Sequence, residues 1–293
     1  MTDLRHLGAL AIAMMVTLWP ASSFGRIIVF GDSLSDTGNA FIASDMLPAE
    51  PAARERFSNG PVWVEHVAEA LDLGAAPALA GGTNYAFGGA RTGPAGDQPP
   101  SLIDQVDRYL TERNANSDAL HVLWAGANDL LQAIAGQESP PAVAEAVVGN
   151  IEAALRRLTD AGAHRFLILN MPDIGRTPHV RAQGPAAAER GTALAAAFNR
   201  RLKVTLDGLE ANLPAGILRI DVFDLMHAAL ADPEAFGILN VTDPCRTVEG
   251  TCARPDAHLF WDGVHPTAAA HQRLGQAVLN ALASQRPSAA TGQ

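Results

Sequence analysis

The chain is poor in several kinds of residue whose abundance marks specialised classes of protein. Aromatic residues make up 5% and charged residues 18% of its 293 residues, and acidic side chains outnumber basic ones, which gives a formal net charge of -10. A protein that follows nucleic-acid phosphates needs a basic face, and anionic lipid also attracts basic surfaces, so this balance argues against both partners. Hydrophobic residues nevertheless reach 48%, and a chain of this length can bury a substantial core.

Cysteine is also scarce, since Cys245 and Cys252 are the only two in the chain, and they flank a short polar stretch that contains Gly250. In a protein outside the cytoplasm, two cysteines this close in a loop favour a disulfide. No third cysteine and no nearby HxxxH pattern completes a zinc site, so no metal is expected. Two free thiols are the alternative, which a reducing compartment would favour. Because the loop is short, a disulfide here would fix a local shape rather than the whole fold.

The first 25 residues differ in composition from the rest of the chain. Arg5 and His6 precede the apolar stretch LGALAIAMMVTLW, and the small residues of PASSFG follow it. This order is typical of an export signal, with cleavage after Ser23 or Gly25. The apolar stretch is shorter than the roughly 20 residues of a membrane span, although an uncleaved anchor is the alternative. The sequence therefore predicts a signal peptide at 1–25 and a secreted or periplasmic protein with no integral membrane segment after its removal.

The rest of the chain alternates between strand-like and helix-like segments. Short β-branched runs predict strands, and apolar residues at helical spacing predict helices between them. The predicted strands are RIIVF, ALHVLWAG, RFLILNM and GILRIDV, and the predicted helices cover 61–71, 101–113, 141–162, 185–211 and 266–285. This alternation is typical of βαβ units and of a parallel sheet covered by helices on both faces. No linker or repeat divides it, so we predict one α/β domain over 26–285 and a loose tail at 286–293.

Polar residues collect where predicted strands end, which is where open α/β sheets bind ligands. Ser33 follows the strand at 27–30, Asn128 follows a later strand, and Asp262 and His265 precede the last helix. These residue types suit nucleophilic acyl transfer, because a histidine takes the serine proton near neutral pH while a carboxylate holds its tautomer. Backbone N–H groups of the serine and of a glycine, with the asparagine amide, would bind the developing oxyanion.

Each of these residues also has an ordinary structural interpretation. Ser33 could be a turn residue, Asn128 could end a strand, and Asp262 and His265 could cap the last helix. Around the serine, Asp36 is expected to shape a turn rather than to take part in catalysis. The same applies to Asp32 and Asn39, and Gly31 is expected to let the chain bend.

Four segments occur together and in order, namely VFGDSLSDTGN, NYAFGGA, WAGANDL and LFWDGVHPT. In this combination the chain resembles the GDSL or SGNH hydrolases, and in particular the secreted GDSL lipases and esterases. The stretch RFSNGPVWVEHVAEAL is similar to the same branch, and the resemblance extends from about residue 27 to residue 275. It implies a three-layer αβα fold with a flavodoxin-like parallel sheet.

The resemblance also implies a role for each residue that matches a family position. The implied catalytic residues are Ser33 as nucleophile, His265 as base and Asp262 as its partner, and the implied oxyanion-hole donors are the N–H of Ser33, Gly89 and Asn128. Gly88 is the alternative glycine if the alignment shifts by one position. The α/β-hydrolase elbow is a different pattern, G-x-S-x-G, which GDSLS does not complete.

The expected activity is hydrolysis of carboxylic esters through an acyl-serine intermediate, without a cofactor. The expected substrate is an acyl lipid or a short-to-medium acyl ester, and the segments 40–60 and 225–257 are expected to supply loops that form the pocket walls. The alternatives are a carbohydrate O-acetylesterase or an acyltransferase of the same fold, and a non-catalytic binding protein that keeps the fold. The sequence does not fix the oligomeric state and is compatible with a monomer.

Overall fold

The computed structural model describes most of the chain outside its ends. The described residues are 24–44, 56–94, 99–113, 118–136, 138–213 and 215–285. The predicted signal peptide at 1–25, apart from its last two residues, and the predicted tail at 286–293 lie outside these ranges. Within the ranges, no helix combines the length and the apolar character needed to cross a membrane.

A four-stranded parallel sheet forms the centre of the fold, as the sequence predicts. Its strands lie side by side in chain order, and every pairing between neighbours is parallel. They are Arg26–Gly31 (β1), Ala119–Trp124 (β2), Arg165–Leu169 (β3) and Gly216–Ile220 (β4). The carboxyl ends of all four strands therefore meet at one edge of the sheet, where a ligand site is expected.

A short stretch of the glycine-rich segment GGTNYAFGGARTG extends the sheet beyond β1. The N–H of Val29 donates to the oxygen of Thr83 at 3.1 Å, and the N–H groups of Tyr85 and Phe87 donate to the oxygens of Val29 at 2.7 Å and Gly31 at 3.1 Å. The bridge is parallel, so this stretch acts as an edge strand. The second segment in the chain then lies outside the first, which is the strand order of a flavodoxin-like sheet.

Helices cover both faces of the sheet. They are Asn39–Ala43 (α1), Trp63–Ala70 (α2), Leu102–Glu112 (α3), Ala127–Ile134 (α4), Pro140–Asp160 (α5), Pro178–Arg181 (α6), Pro185–Asn212 (α7), Val222–Ala231 (α8) and Ala268–Ser284 (α9). Ile28 and Phe30 of β1 belong to the core shared with α3, α5 and α7, whereas Ile27 and Val29 belong to the core shared with α2 and α9. Burial on both faces explains why this strand is a continuous apolar run.

Local signals set several helix ends. Ser101 accepts the N–H of Asp104 at 3.2 Å and donates its own N–H to that carboxylate at 2.9 Å, which forms the predicted capping box of α3. Gly162, with a φ of 104°, follows the end of α5. The last helix begins later than predicted, because Thr267 is its N-cap and accepts an N–H of the first turn at 3.2 Å. Pro266 therefore lies before α9 rather than within it.

The segment 225–257, expected to consist of loops, contains regular structure. It begins inside α8 and contains three short strands, and a fourth strand begins directly after it. These are Asn240–Pro244 (β5), Arg246–Thr247 (β6), Gly250–Thr251 (β7) and His258–Phe260 (β8). β5 pairs with β8, and β6 pairs with β7 as a hairpin. A sequence signal for α8 exists in Asp221, whose side chain accepts the N–H of Asp224 at 2.9 Å as an N-cap.

Candidate active site

Ser33 stands in the turn that follows β1, at the carboxyl edge of the sheet. The side-chain amide of Gln105 holds the start of this turn, because it donates to the oxygen of Gly31 at 2.8 Å and accepts its N–H at 2.9 Å. A Cβ at Gly31 would lie 2.2 Å from the oxygen of Trp124 in β2. Glycine is therefore required here by the close approach of two strands. Ser33 is 8% exposed, so the fold encloses most of the residue.

A continuous chain of hydrogen bonds links Ser33 to His265 and Asp262. The serine Oγ lies 2.8 Å from Nε2 of His265, and Nδ1 of the same ring lies 2.8 and 3.0 Å from the two carboxylate oxygens of Asp262. Oδ1 of Asp262 also accepts the N–H of Val264 at 2.9 Å and of His265 at 2.8 Å. The carboxylate thus orients both the imidazole ring and the backbone that carries it. Neither residue caps α9, whose cap is Thr267.

The electrostatic surroundings favour an ionised Asp262. Burial by itself raises the pKa of this carboxyl group, but the hydrogen bond and charge interaction with His265, together with two backbone N–H bonds, outweigh burial and lower the pKa overall. An ionised carboxylate is the state that holds the histidine tautomer and stabilises an imidazolium ion.

The loop that carries His265 is fixed by contacts on several sides. The oxygen of His265 accepts the N–H of Trp261 at 2.8 Å, and the oxygen of Gly263 accepts the N–H of His179 at 2.8 Å. The ring of Phe57 lies 5.1 Å from the imidazole ring, measured between centroids. The bond from Trp261 closes the loop on itself, while His179 and Phe57 reach it from distant parts of the chain. Together these contacts hold the imidazole in place beside the serine.

Gly89 and Asn128 line the same cavity as Ser33 and His265. Gly89 has a φ of 78°, which favours glycine. Nδ2 of Asn128 donates one hydrogen to the oxygen of Ala90 at 2.8 Å. Because an amide nitrogen carries two hydrogens, this bond orients the side chain and leaves the other N–H for a ligand. The structure therefore brings together all five residues that the sequence singles out.

Asp36 connects the serine turn to the segment that contains Gly88 and Gly89. Its carboxylate accepts three successive N–H groups of its own turn at 2.8, 2.7 and 3.0 Å, and the N–H of Gly88 at 2.8 Å. Burial raises the pKa of Asp36, and these backbone bonds only partly oppose that effect. The N–H of Gly88 is thus already used, which favours Gly89 as the glycine donor. The sequence indicates the turn at Asp36 but carries no local signal for the long-range bond.

Asp32 is buried beside Ser33 but has fewer partners. One oxygen accepts the N–H of Leu34 at 3.0 Å, and the other has no hydrogen-bond partner among the described residues. Burial, with a smaller contribution from the charge of Asp129, raises the pKa of Asp32 to about 7, although the bond to Leu34, the nearby His265 and the N–H of Ala127 oppose the shift. These contacts agree with the turn-shaping role expected for this residue.

A mainly apolar cavity of about 280 Å³ opens beside Ser33 and His265. Much of its wall comes from α8 and the residues that follow it, so the segment 225–257 does contribute, but partly as a helix. The apolar lining includes Leu34, Trp124, Val222, Leu225, Met226, Ala229, Ile238, Phe260 and Leu274. From the expected wall segment 40–60, Phe57 lines the cavity, and residues 45–55 lie outside the described ranges.

A disulfide joins Cys245 to Cys252 and closes the β6–β7 hairpin. The hairpin packs on the segment that leads into the Asp262–His265 loop. The N–H of Cys245 donates to the oxygen of Phe260 at 3.0 Å, and the N–H of Arg246 donates to the oxygen of Trp261 at 2.6 Å. The guanidinium of Arg246 also lies over the Trp261 ring, 5.9 Å from its centroid.

The disulfide also bears on metal binding. Cys245, Cys252 and His258 bring three potential ligand atoms within 4.8 Å of one another. The two sulfur atoms are bonded to each other, so neither is available as a thiolate ligand. The expectation of a metal-independent site stays a prediction.

We expect reduction of the disulfide to lower kcat for ester hydrolysis by about tenfold, because a looser hairpin lets the Asp262–His265 loop shift. Wild type would be assayed with and without a dithiol, beside the Cys245→Ser/Cys252→Ser variant. The chain has no other cysteine, so the dithiol should not affect the double variant. Thiol titration establishes that reduction is complete. If kcat is then unchanged, the expectation is contradicted.

A serine hydroxyl, an imidazole and a carboxylate joined in this order at the edge of a parallel sheet define the class of serine hydrolases. Within that class, the chain belongs to the GDSL-like lipase/acylhydrolase family, whose sequence model matches residues 27–278. The resemblance inferred from the four sequence segments is thereby confirmed.

Two curated relatives cover most of this chain. It is 30% identical over 291 residues to the thermolabile hemolysin of Vibrio parahaemolyticus, a match that covers 89% of this chain and 65% of that protein. It is 29% identical over 314 residues to the phosphatidylcholine-sterol acyltransferase of Aeromonas hydrophila, with 90% of this chain and 91% of that protein covered. The chain therefore spans only about two thirds of the hemolysin, at 65%, but nearly all of the acyltransferase.

Solved structures share the fold. An acetylxylan esterase from Geobacillus stearothermophilus has a TM-score of 0.50 at 16% identity, covering 91% of this chain and 98% of its own. A GDSL-like lipase from Parabacteroides merdae has a TM-score of 0.50 at 12% identity, covering 89% and 97%. At these identities the likeness concerns the fold alone. The family and its esterase and lipase members support a carboxylic ester hydrolase.

Proposed function

We propose that this chain is an exported serine esterase or lipase that hydrolyses esters of apolar acyl chains through an acyl-serine intermediate. The observation that carries the proposal is the hydrogen-bonded chain from Ser33 through His265 to Asp262, whose serine and histidine line a mainly apolar cavity. Because a serine nucleophile attacks the acyl carbonyl, the acyl group of a bound ester must lie next to Ser33. The cavity is the natural place for its chain.

In the first half of the reaction, the Oγ of Ser33 attacks the ester carbonyl carbon while Nε2 of His265 takes the hydroxyl proton. Asp262 accepts the Nδ1–H bond and stabilises the imidazolium ion. The oxyanion accepts hydrogen bonds from the N–H groups of Ser33 and Gly89 and from the Asn128 amide. When the tetrahedral intermediate collapses, the carbon–oxygen bond to the alcohol breaks, and His265 protonates the leaving alcohol.

In the second half, water takes the place of the alcohol. His265 removes a proton from the water, whose oxygen attacks the acyl carbonyl, and the same donors hold the second oxyanion. The bond to Ser33 then breaks, and the imidazolium ion returns its proton to Oγ. The products are a carboxylic acid and the regenerated enzyme, so the cycle uses only ester and water.

The composition of the cavity wall favours an acyl lipid or medium-chain ester over an acetylated sugar. A sugar subsite presents hydrogen-bond partners to the hydroxyl groups of the sugar, because burying a polar group without a partner weakens binding. Here the walls are mainly Leu, Ile, Val, Met and aromatic side chains. Each methylene buried against such a wall contributes about 0.8 kcal/mol. The space of about 280 Å³ also exceeds what an acetyl group fills.

Acyl transfer to an alcohol is the second candidate activity. The acyltransferase from Aeromonas hydrophila is 29% identical and is covered over 91% of its length. An acyl-serine intermediate can react with an alcohol as well as with water, so the two activities need the same residues. The name of that relative also makes phosphatidylcholine a substrate to test.

We place the proposed enzyme outside the cytoplasm, with the signal peptide 1–25 removed and one domain over 26–285. Two features support this. The composition of the first 25 residues is that of an export signal. The disulfide between Cys245 and Cys252 is of a kind that persists in oxidising compartments.

A panel of esters, combined with a fluorophosphonate serine probe, tests the proposed function. We expect the probe to label Ser33 in the folded protein, and kcat/KM to rise up to about fourfold per added methylene from the acetyl ester until the cavity is full. Phosphatidylcholine and acetylated xylan belong in the same panel. Products analysed with an added alcohol separate hydrolysis from transfer.

The same panel contains the results that would contradict the proposal. A higher kcat/KM for acetylated xylan than for every longer acyl ester would overturn the substrate class and favour a carbohydrate esterase. No labelling of folded protein, with no turnover of any ester, would favour a non-catalytic binding protein.

A further inference from the structure

The cavity beside Ser33, here called the acyl cavity, shares part of its wall with a groove on the surface of α9. The α9 groove has a volume of about 400 Å³ and is lined by His66, Phe236, Gly237, Asp256, Ala268, Ala269, Gln272 and Arg273. Phe236 and Arg273 line both the groove and the acyl cavity. The two spaces therefore adjoin at these two residues, here called the partition.

Of the two residues in this partition, Arg273 has the long and flexible side chain. Its Nε donates to the oxygen of Phe236 at 3.1 Å. Its terminal nitrogen lies close to Gly237, where an added Cβ would be 3.2 Å away. The residue as a whole is exposed, and it also lines the acyl cavity, an arrangement common for long basic side chains, which cover apolar surface with the stem while the charged end stays hydrated.

The anchoring of Arg273 is weak compared with the packing of the other walls. A single hydrogen bond to a backbone oxygen contributes only about 1.5–3 kcal/mol when the donor is charged. The walls from α8 and β8, by contrast, include the buried residues Met226 and Phe260. A substrate whose acyl chain is long enough to reach the partition would also have to pass the charged guanidinium group of Arg273. Contact with a hydrated cation is unfavourable for an apolar chain.

We propose that Arg273 is a specificity-determining residue, which limits acyl-chain length by separating the acyl cavity from the α9 groove. This proposal rests on the proposed function, because it takes the cavity to be the acyl site. With Arg273 in place, the chain can be no longer than the acyl cavity allows. Without its side chain, the cavity and the groove join, and a longer acyl chain can extend along α9.

The test compares Arg273→Ala with Gln272→Ala, a neighbouring exposed residue that lines the α9 groove but not the acyl cavity. The measured quantity is the ratio of kcat/KM for a hexadecanoyl ester to that for an octanoyl ester. We expect Arg273→Ala to raise this ratio at least tenfold, the gain from burying about two further methylenes. Gln272→Ala should keep the wild-type ratio.

A conservative variant shows whether the length of the side chain is responsible. Arg273→Lys retains a long stem with a charged end, so it should return the ratio close to that of wild type. Thermal unfolding of each variant establishes that it is folded, and alanine on an exposed helix position is well tolerated.

Three results would count against the proposal. An unchanged ratio in folded Arg273→Ala would overturn it, and so would an equal rise in Gln272→Ala, because the groove alone would then be responsible. Both results presuppose that wild type hydrolyses acyl esters. A wild type that hydrolyses none of them would overturn the proposed function together with this inference.

Discussion

Replacing Ser33 with alanine is expected to lower kcat for ester hydrolysis by about 10⁴- to 10⁶-fold while leaving the protein folded. The reason is that Oγ of Ser33 is the atom proposed to form the acyl intermediate, and its hydrogen bond to Nε2 of His265 at 2.8 Å serves no other part of the fold. Steady-state hydrolysis of an activated octanoyl ester measures the loss, and circular dichroism checks folding.

The matched control is Ser35→Ala, in the same turn. Ser35 is fully buried, and its Oγ accepts the indole N–H of Trp63 at 3.1 Å. This change leaves the buried indole N–H without an acceptor and should cost about 1–3 kcal/mol of unfolding free energy, with little loss of activity. A wild-type rate in Ser33→Ala would show that the nucleophile has been assigned wrongly.

Non-additivity provides a second check on the same assignment. His265→Ala should reduce kcat nearly as much as Ser33→Ala, and the double variant should be little worse than either single one, because the two residues act as one unit. Two independent losses that multiply in the double variant would show that the residues act separately.

Asp36→Asn is expected to have the other large effect, although Asp36 is not proposed to touch the substrate. The amide oxygen can keep the bonds to Gly38 and Asn39, but the new NH₂ group faces the N–H donors of Ala40 and Gly88. Both donors are partly buried, and losing their acceptors should cost up to about 1–3 kcal/mol of unfolding free energy each. Because Gly88 leads into Gly89, we also expect kcat to fall about 10²-fold as the oxyanion donor shifts.

Asp32→Asn is the control for this prediction, since Asp32 is as buried as Asp36 and is the chain neighbour of Ser33. Its Oδ1 bond to Leu34 can be kept by the amide, and its Oδ2 has no partner to lose among the described residues. The free energy of unfolding, measured by chemical denaturation, and kcat should therefore both change much less than in Asp36→Asn. Equal losses in both variants would contradict the specific role of the bond from Gly88 to Asp36.

The stability of Asp32→Asn relative to wild type should depend on pH, and the direction follows from the pKa of Asp32. The pKa of Asp32 is raised to about 7 in the folded protein, above the value of about 3.9 expected in the unfolded chain. Its stabilising contribution is therefore complete below about pH 4 and is lost as pH rises through about 7. The stability of Asp32→Asn relative to wild type should increase over that range and level off above it.

The sequence by itself was enough to predict the family and most strands of the sheet. The run at 27–30 predicted a strand buried on both faces, and both faces are indeed covered. Ser33, Asn128 and the pair Asp262 and His265 could be found because the chemistry restricts which residue types can stand there, and because they lie in short segments with a fixed order. Local rules also predicted the capping box at Ser101.

Only the tertiary structure decided the contacts between distant segments. The edge strand at 83–87, the bond from Gly88 to Asp36 and the shared wall at Arg273 all join residues far apart in the chain. Periodicity reports which face of an element is apolar, but it contains no information on which other element will cover that face. The types of residue in the site therefore follow from local sequence, whereas its shape, and with it the acyl chain it can accept, follows from packing.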